Sequence, residues 1–155
     1  MTLFTDMPPH SRVWIYQSSR EFTSQEVSSI KSKAETFVAQ WTSHDQLMKA
    51  SIEMFHTLFV VICVDEKTAP ASGCGIDKSM RFIQELEKEF GVSLTDRMNV
   101  VYRSSEKGEL QVCRLDELKN KRVTSVFNNL VTTKGELEKN WEVPVEMSWH
   151  KQFIT

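Results

Sequence analysis

A chain of 155 residues, 40% of them hydrophobic and 26% charged, is long enough to bury a core without staples and too apolar to stay disordered. Its net charge of −2 provides no broadly basic surface for neutralising phosphates, which excludes a nonspecific nucleic-acid binder. The three cysteines, Cys63, Cys74 and Cys113, are odd in number and form no Cys-x-x-Cys pair. Reduced thiols are therefore expected, with no disulfide, no zinc site and a cytoplasmic location.

The first ten residues lack a basic segment followed by an apolar one, so no signal peptide is expected. The longest apolar run, Leu58 to Val64, is far shorter than the ~20 residues of a membrane span. Residues 1–11 read as a lead-in stiffened by Pro8 and Pro9. From Arg12 to Gln17 the residues are β-branched and aromatic, which predicts a strand. Val13 and Ile15 point to one side and Trp14 and Tyr16 to the other, so both faces of that strand should be covered. Ser18, Ser19 and Arg20 end it, and Arg20 reads either as an oxygen-anion contact or as a solvated strand end.

Thr23 and Glu26 have the spacing of a capping box, and Val27, Ile30, Ala34, Phe37 and Trp41 recur as one helical stripe. The periodicity stops at Ser43 and His44. A weaker strand is expected from Leu47 to Phe55, turning at His56 and Thr57 into the unbroken run from Leu58, a strand buried on both faces. A second helix is expected from about Asp77 to Phe90, capped by Asp77 and stopped by Gly91. Asn99 to Arg103 and Glu109 to Leu115 read as a hairpin, and Asp116 to Arg122 as a short charged helical piece.

The order strand, helix, strand, strand, helix, strand over 12–103 is that of a ferredoxin-like βαββαβ antiparallel sheet. The chain then reads as a single α+β domain over 1–155. Residues 104–122 add a strand and a short helix, and 123–155 form a helical tail. Both helices would cover one sheet face. The tail carries Val126, Phe127, Leu130, Leu137, Trp141, Trp149 and Phe153, with a second capping box at Thr133 and Glu136. It should cover the other face, on Trp14 and Tyr16.

The candidate site is the loop before the second helix. Gly73 and Gly75 permit unusual backbone angles, so successive N–H groups are expected to converge on a ligand together with Ser72, Asp77 and Ser79. A helix N-terminus there favours an anion, and Lys78 and Arg81 add whole charges. The alternative is a tight connection in which Cys74 is a small buried residue and Asp77 only a cap. Cysteine catalysis at Cys74 is the lesser option. It needs a base, and the expected topology gathers His10, His44, Arg12, Asp65 and Arg103 at the same end of the sheet. Neither a phosphate loop nor a Gly-x-Gly-x-x-Gly fingerprint is present, and no cofactor or metal is expected. The tryptophans read mainly as core, with Trp149 and His150 near the end as an interface anchor or core.

Three segments, Val13 to Arg20, Ala71 to Ser79 and Phe127-Asn128-Asn129-Leu130, resemble a family of short uncharacterised bacterial proteins often labelled "ABC transporter ATPase". The likeness covers nearly the whole chain. It carries no established catalytic residue, and with no phosphate loop or signature motif in the chain, no ABC-type ATPase chemistry is expected. Two function classes follow. One binds an anionic or polar small ligand at 71–79. The other is a non-catalytic protein-interaction module, or one that forms a homodimer.

Overall fold

A computed structural model describes residues 4–67 and 69–154; Met1 to Leu3 of the lead-in, Thr68 and Thr155 lie outside the described residues. The fold is mixed α+β with antiparallel sheets. Strand β1 (Arg12–Gln17) pairs with the fully buried β5 (Phe59–Val64), which pairs on its other side with β4 (Ala50–Phe55). Three residues, His56, Thr57 and Leu58, connect β4 to β5, and Leu58 N–H donates to Phe55 O at 3.0 Å. His56 and Thr57 both have positive φ (55° and 56°), the backbone twist that fits a tight hairpin.

Helix α1 (Ser24–Gln40) is capped by Thr23 and Glu26 as the spacing predicts. A minor hairpin of β2 (Thr42–Ser43) and β3 (Gln46–Leu47) follows it. Helix α2 (Gly73–Phe90) starts four residues before the expected Asp77, because Ser72 rather than Asp77 is its N-cap. Gly91 ends α2 in the left-handed region at φ 61°, where a β-carbon is costly.

The next strand departs from the ferredoxin-like expectation. Strand β6 (Asn99–Arg103) does not lie beside β1 but joins a second sheet with β7 (Leu110–Arg114), β8 (Ser125–Phe127) and β9 (Glu142–Pro144), in the order β7-β6-β8-β9. The short helical piece is a 3-10 turn over Leu115–Asn120. In the tail, Thr133 caps helix α3 (Lys134–Asn140) through the N–H of Glu136, and two further 3-10 turns close the chain.

These elements form layers with two faces on the first sheet. Val60, Ile62, Val64 and Tyr16 pack under α1 and α2 against Ile30, Ala34, Phe82, Ile83 and Leu86. Val13, Phe59, Val61 and Cys63 pack on the opposite side against Phe127, Val131, Leu137 and Trp141 of the tail and Val101 of β6. The tail thus lies across the sheet from the helices. Trp14 and Tyr16 face the helices and not the tail, because strand alternation sends Val13 and Ile15 to the tail side. Val100, Tyr102, Val126 and Val145 form a third cluster on the outer face of the second sheet, over Leu115 and Leu118.

Candidate functional site

The loop singled out from the sequence is for the most part the first turns of α2. The Ser72 hydroxyl accepts from the Gly75 N–H, Ile76 N–H donates to the Ser72 carbonyl, and the Ser72 and Ser43 hydroxyls are hydrogen-bonded. Gly75 is the close-approach point. A β-carbon there would meet the Met48 sulfur and Ser43 Cβ, each at 3.3 Å, and Trp41 Nε1 donates to the Gly75 carbonyl at 2.9 Å. Lys78 Nζ donates to the carbonyl and hydroxyl of Thr42, at 3.0 and 3.1 Å. The Ser79 hydroxyl donates back to Ile76 O. Gly73, Cys74, Asp77 and Arg81 are exposed. The polar atoms of Ser72, Lys78 and Ser79 are thus spent on docking the β2–β3 hairpin and on the helix itself.

The gathering at that end of the sheet is partial. His10 Nε2 lies 3.1 Å from Asp65 Oδ1, and Arg12 pairs with Glu66 at 3.7 Å. Burial raises the Asp65 carboxyl, but hydrogen bonds from His10 and the Lys67 N–H outweigh it, and the net direction is down. Arg103 lies elsewhere, bonded to Glu142 and to the Gly108 carbonyl. Arg20 is a tie rather than an open anion contact: it grips Glu26 with two nitrogens, each at 2.9 Å, and donates to the Phe90 carbonyl at 2.7 Å. Burial drives the Cys63 thiol up to about 12, which makes it inert at neutral pH.

A cleft of about 640 Å3 lies elsewhere, along the outer edge of β1. In the β1–β5 ladder Ser18 N–H donates to Leu58 O, and the alternation of an antiparallel pair then turns the N–H and C=O of Val13, Ile15 and Gln17 away from β5. At one end of the cleft the tail closes that edge: Val13 N–H donates to Thr132 O at 2.9 Å and Lys134 N–H to Ser11 O at 2.8 Å. The tail then peels away. Val13 C=O, Ile15 N–H, Ile15 C=O and Gln17 N–H have no partner among the described residues.

The other end is closed by side chains. Gln17 Nε2 donates to Asn99 O at 2.7 Å, Asn129 Nδ2 donates to Gln17 Oε1 at 3.0 Å, and Trp141 Nε1 donates to Asn129 Oδ1 at 2.9 Å. This bridge ties the two sheets together and gives Asn129 of Phe127-Asn128-Asn129-Leu130 its role, while Asn128 Oδ1 accepts from the Leu130 N–H in a local turn. Trp14, Leu94, Leu130 and Trp149 line the cleft with apolar surface, while Arg12 and Arg97 bring positive charge. The Arg12 guanidinium sits 4.6 Å from the Trp14 ring centre. Asp96, also on the lining, is engaged by Arg114 at 2.7 Å. Trp149 stacks on His150 with ring centres 3.8 Å apart, and its Nε1 is buried with no partner among the described residues. Burial lowers His150 to about 4, so it is neutral at pH 7.

Sequence reasoning missed this cleft because its lining comes from segments far apart in the chain. The one available signal was Trp149-His150, apolar and polar side by side near the end of the chain. Among the described residues no helix is long and apolar enough to cross a membrane, and no three His, Cys, Asp or Glu side chains gather as metal ligands. Compared with known proteins, the chain matches no family model, no curated protein and no solved structure.

Proposed function

We propose that the protein is a non-catalytic recognition module that binds a short extended peptide segment in the β1 cleft by strand addition. The observation that carries this is the run of free backbone groups on β1, acceptor, donor, acceptor, donor, from Val13 to Gln17. An antiparallel segment of about three residues offers the matching series. We read β1-α1-β4-β5 as the first part of a ferredoxin-like arrangement whose fourth-strand position, beside β1, is left open for this guest. The cleft's size suits a few residues, and its apolar lining accepts alternate side chains from an added strand. Arg12 and Arg97 favour a segment with an acidic residue or a terminal carboxylate. The likeness to the short bacterial proteins adds no chemistry to this reading.

The test uses the tightest binder from a displayed library of short peptides, titrated into 15N-labelled protein. The Ile15 and Gln17 amide signals should move together, and N-methylation of the peptide residue opposite Ile15 should weaken binding tenfold or more. If no peptide moves those amides, while inorganic phosphate or acetate moves those of Gly73 and Cys74, the peptide reading fails. The small-anion site at Ser72 to Arg81 then takes its place.

A further inference from the structure

The opposite edge of the first sheet supports a second, independent inference. Sheet order ends at β4. Asp65 N–H donates to Lys49 O, which continues the β4–β5 ladder and commits the N–H and C=O groups of odd residues to β5. Those of Ala50, Ile52 and Met54 point outward and have no partner among the described residues. Edge strands are usually blunted by proline, a bulge, charged side chains or a covering helix or loop. β4 has no proline and its register with β5 is unbroken from Ala50 to Phe55. Its nearby charges are of opposite sign, Lys49 and Glu53.

We propose that β4 pairs with β4 of a second copy, antiparallel about a two-fold axis through Ser51, so that two three-stranded sheets become one of six strands. The register follows from the side chains. With Ala50 opposite Ile52 of the second copy, the two pairs of outward residues exchange four main-chain hydrogen bonds. A small side chain then meets a large one on the helix face. On the other face Ser51 meets Ser51, and Lys49 stands opposite Glu53 twice over, the like-to-unlike matching that stabilises cross-strand pairs. Moving the axis to Ile52 sets Lys49 against Phe55 and Glu53 against Ser51, so both charge pairs are lost. Within one copy these charges have little to do. Glu53 has no ion pair among the described residues, and Lys49 reaches only Asp65, at 4.0 Å.

Analytical ultracentrifugation of the full chain over a dilution series tests this, with melting curves to show that each variant folds. Wild type should sediment as a dimer that dissociates on dilution. Lys49→Glu and Glu53→Lys each set two like-charge pairs face to face and should weaken dimerisation about ten- to thirtyfold. An equimolar mixture of the two variants, and the double variant Lys49→Glu/Glu53→Lys, should both regain wild-type affinity. Ala50→Pro removes an outward N–H without costing an internal bond and should leave a folded monomer. A wild type that is monomeric at every concentration overturns the proposal, as does a dimer indifferent to the single charge reversals.

Discussion

Replacing His150 by Gln tests the packing of the tail through its pH dependence. His150 is 3% exposed in the last 3-10 turn, with Nδ1 2.6 Å from the Ser148 hydroxyl and its ring against Trp149. Burial holds its pKa at about 4, against 6.5 for a free imidazole. A depressed histidine means that the unfolded chain takes up a proton below pH 6.5 while the native chain does so only near 4. Stability from this group is therefore full above pH 6.5 and declines as pH falls toward 4. At pH 4.5 the loss is about 2.5 kcal/mol, from about 1.4 kcal/mol for each pH unit below 6.5. The Gln variant loses the packed imidazole at every pH but has no proton to take up. The gap between wild type and variant should therefore narrow, or reverse, by that amount between pH 7 and pH 4.5. In melting temperature this is about 5–10 °C for a chain of this size. Comparing the two proteins at each pH cancels the acid titration of Asp96 and Glu26, both held low by arginine partners. A gap that stays constant across this range, or a His150 ring that titrates near 6.5 by NMR, refutes the burial argument.

The two glycines before α2 should respond differently to substitution. Gly73→Ala adds a β-carbon with nothing within 4 Å in the first helical turn, and should stabilise by about 0.5 kcal/mol in urea unfolding. Gly75→Val drives a branched side chain into Met48 and Ser43 and should cost about 1–3 kcal/mol. Equal responses would show that Gly75 is not the point where the hairpin docks. In native protein, iodoacetamide should label Cys74 alone, since Cys63 and Cys113 are buried and burial raises both thiols. Mass spectrometry that finds Cys63 labelled before unfolding would contradict that.

The local elements were written in the sequence because each is set by residues close in the chain. The Thr23–Glu26 box fixed the start of α1, Gly91 the end of α2, and the alternation in Arg12 to Gln17 the two faces of β1. The start of α2 was misjudged because Ser72 and Asp77 are equally good caps in isolation, and the bond between the Ser72 and Ser43 hydroxyls favours the first. Gly75, one of the two glycines that read as a ligand cradle, packs against Met48 and Ser43 at the β2–β3 hairpin while Gly73 stays exposed, a distinction that needs the distant hairpin to be seen. Which element lies beside β1 was decided by tertiary structure alone. β6 finds its partners in β7 and β8, and Gln17 and Asn129, 112 residues apart, fix the spacing that leaves the strand's edge open. Periodicity reports which face of a strand is buried. It carries no information about which of its hydrogen-bonding edges stays unpaired, because edge groups belong to the backbone and are the same in every residue but proline.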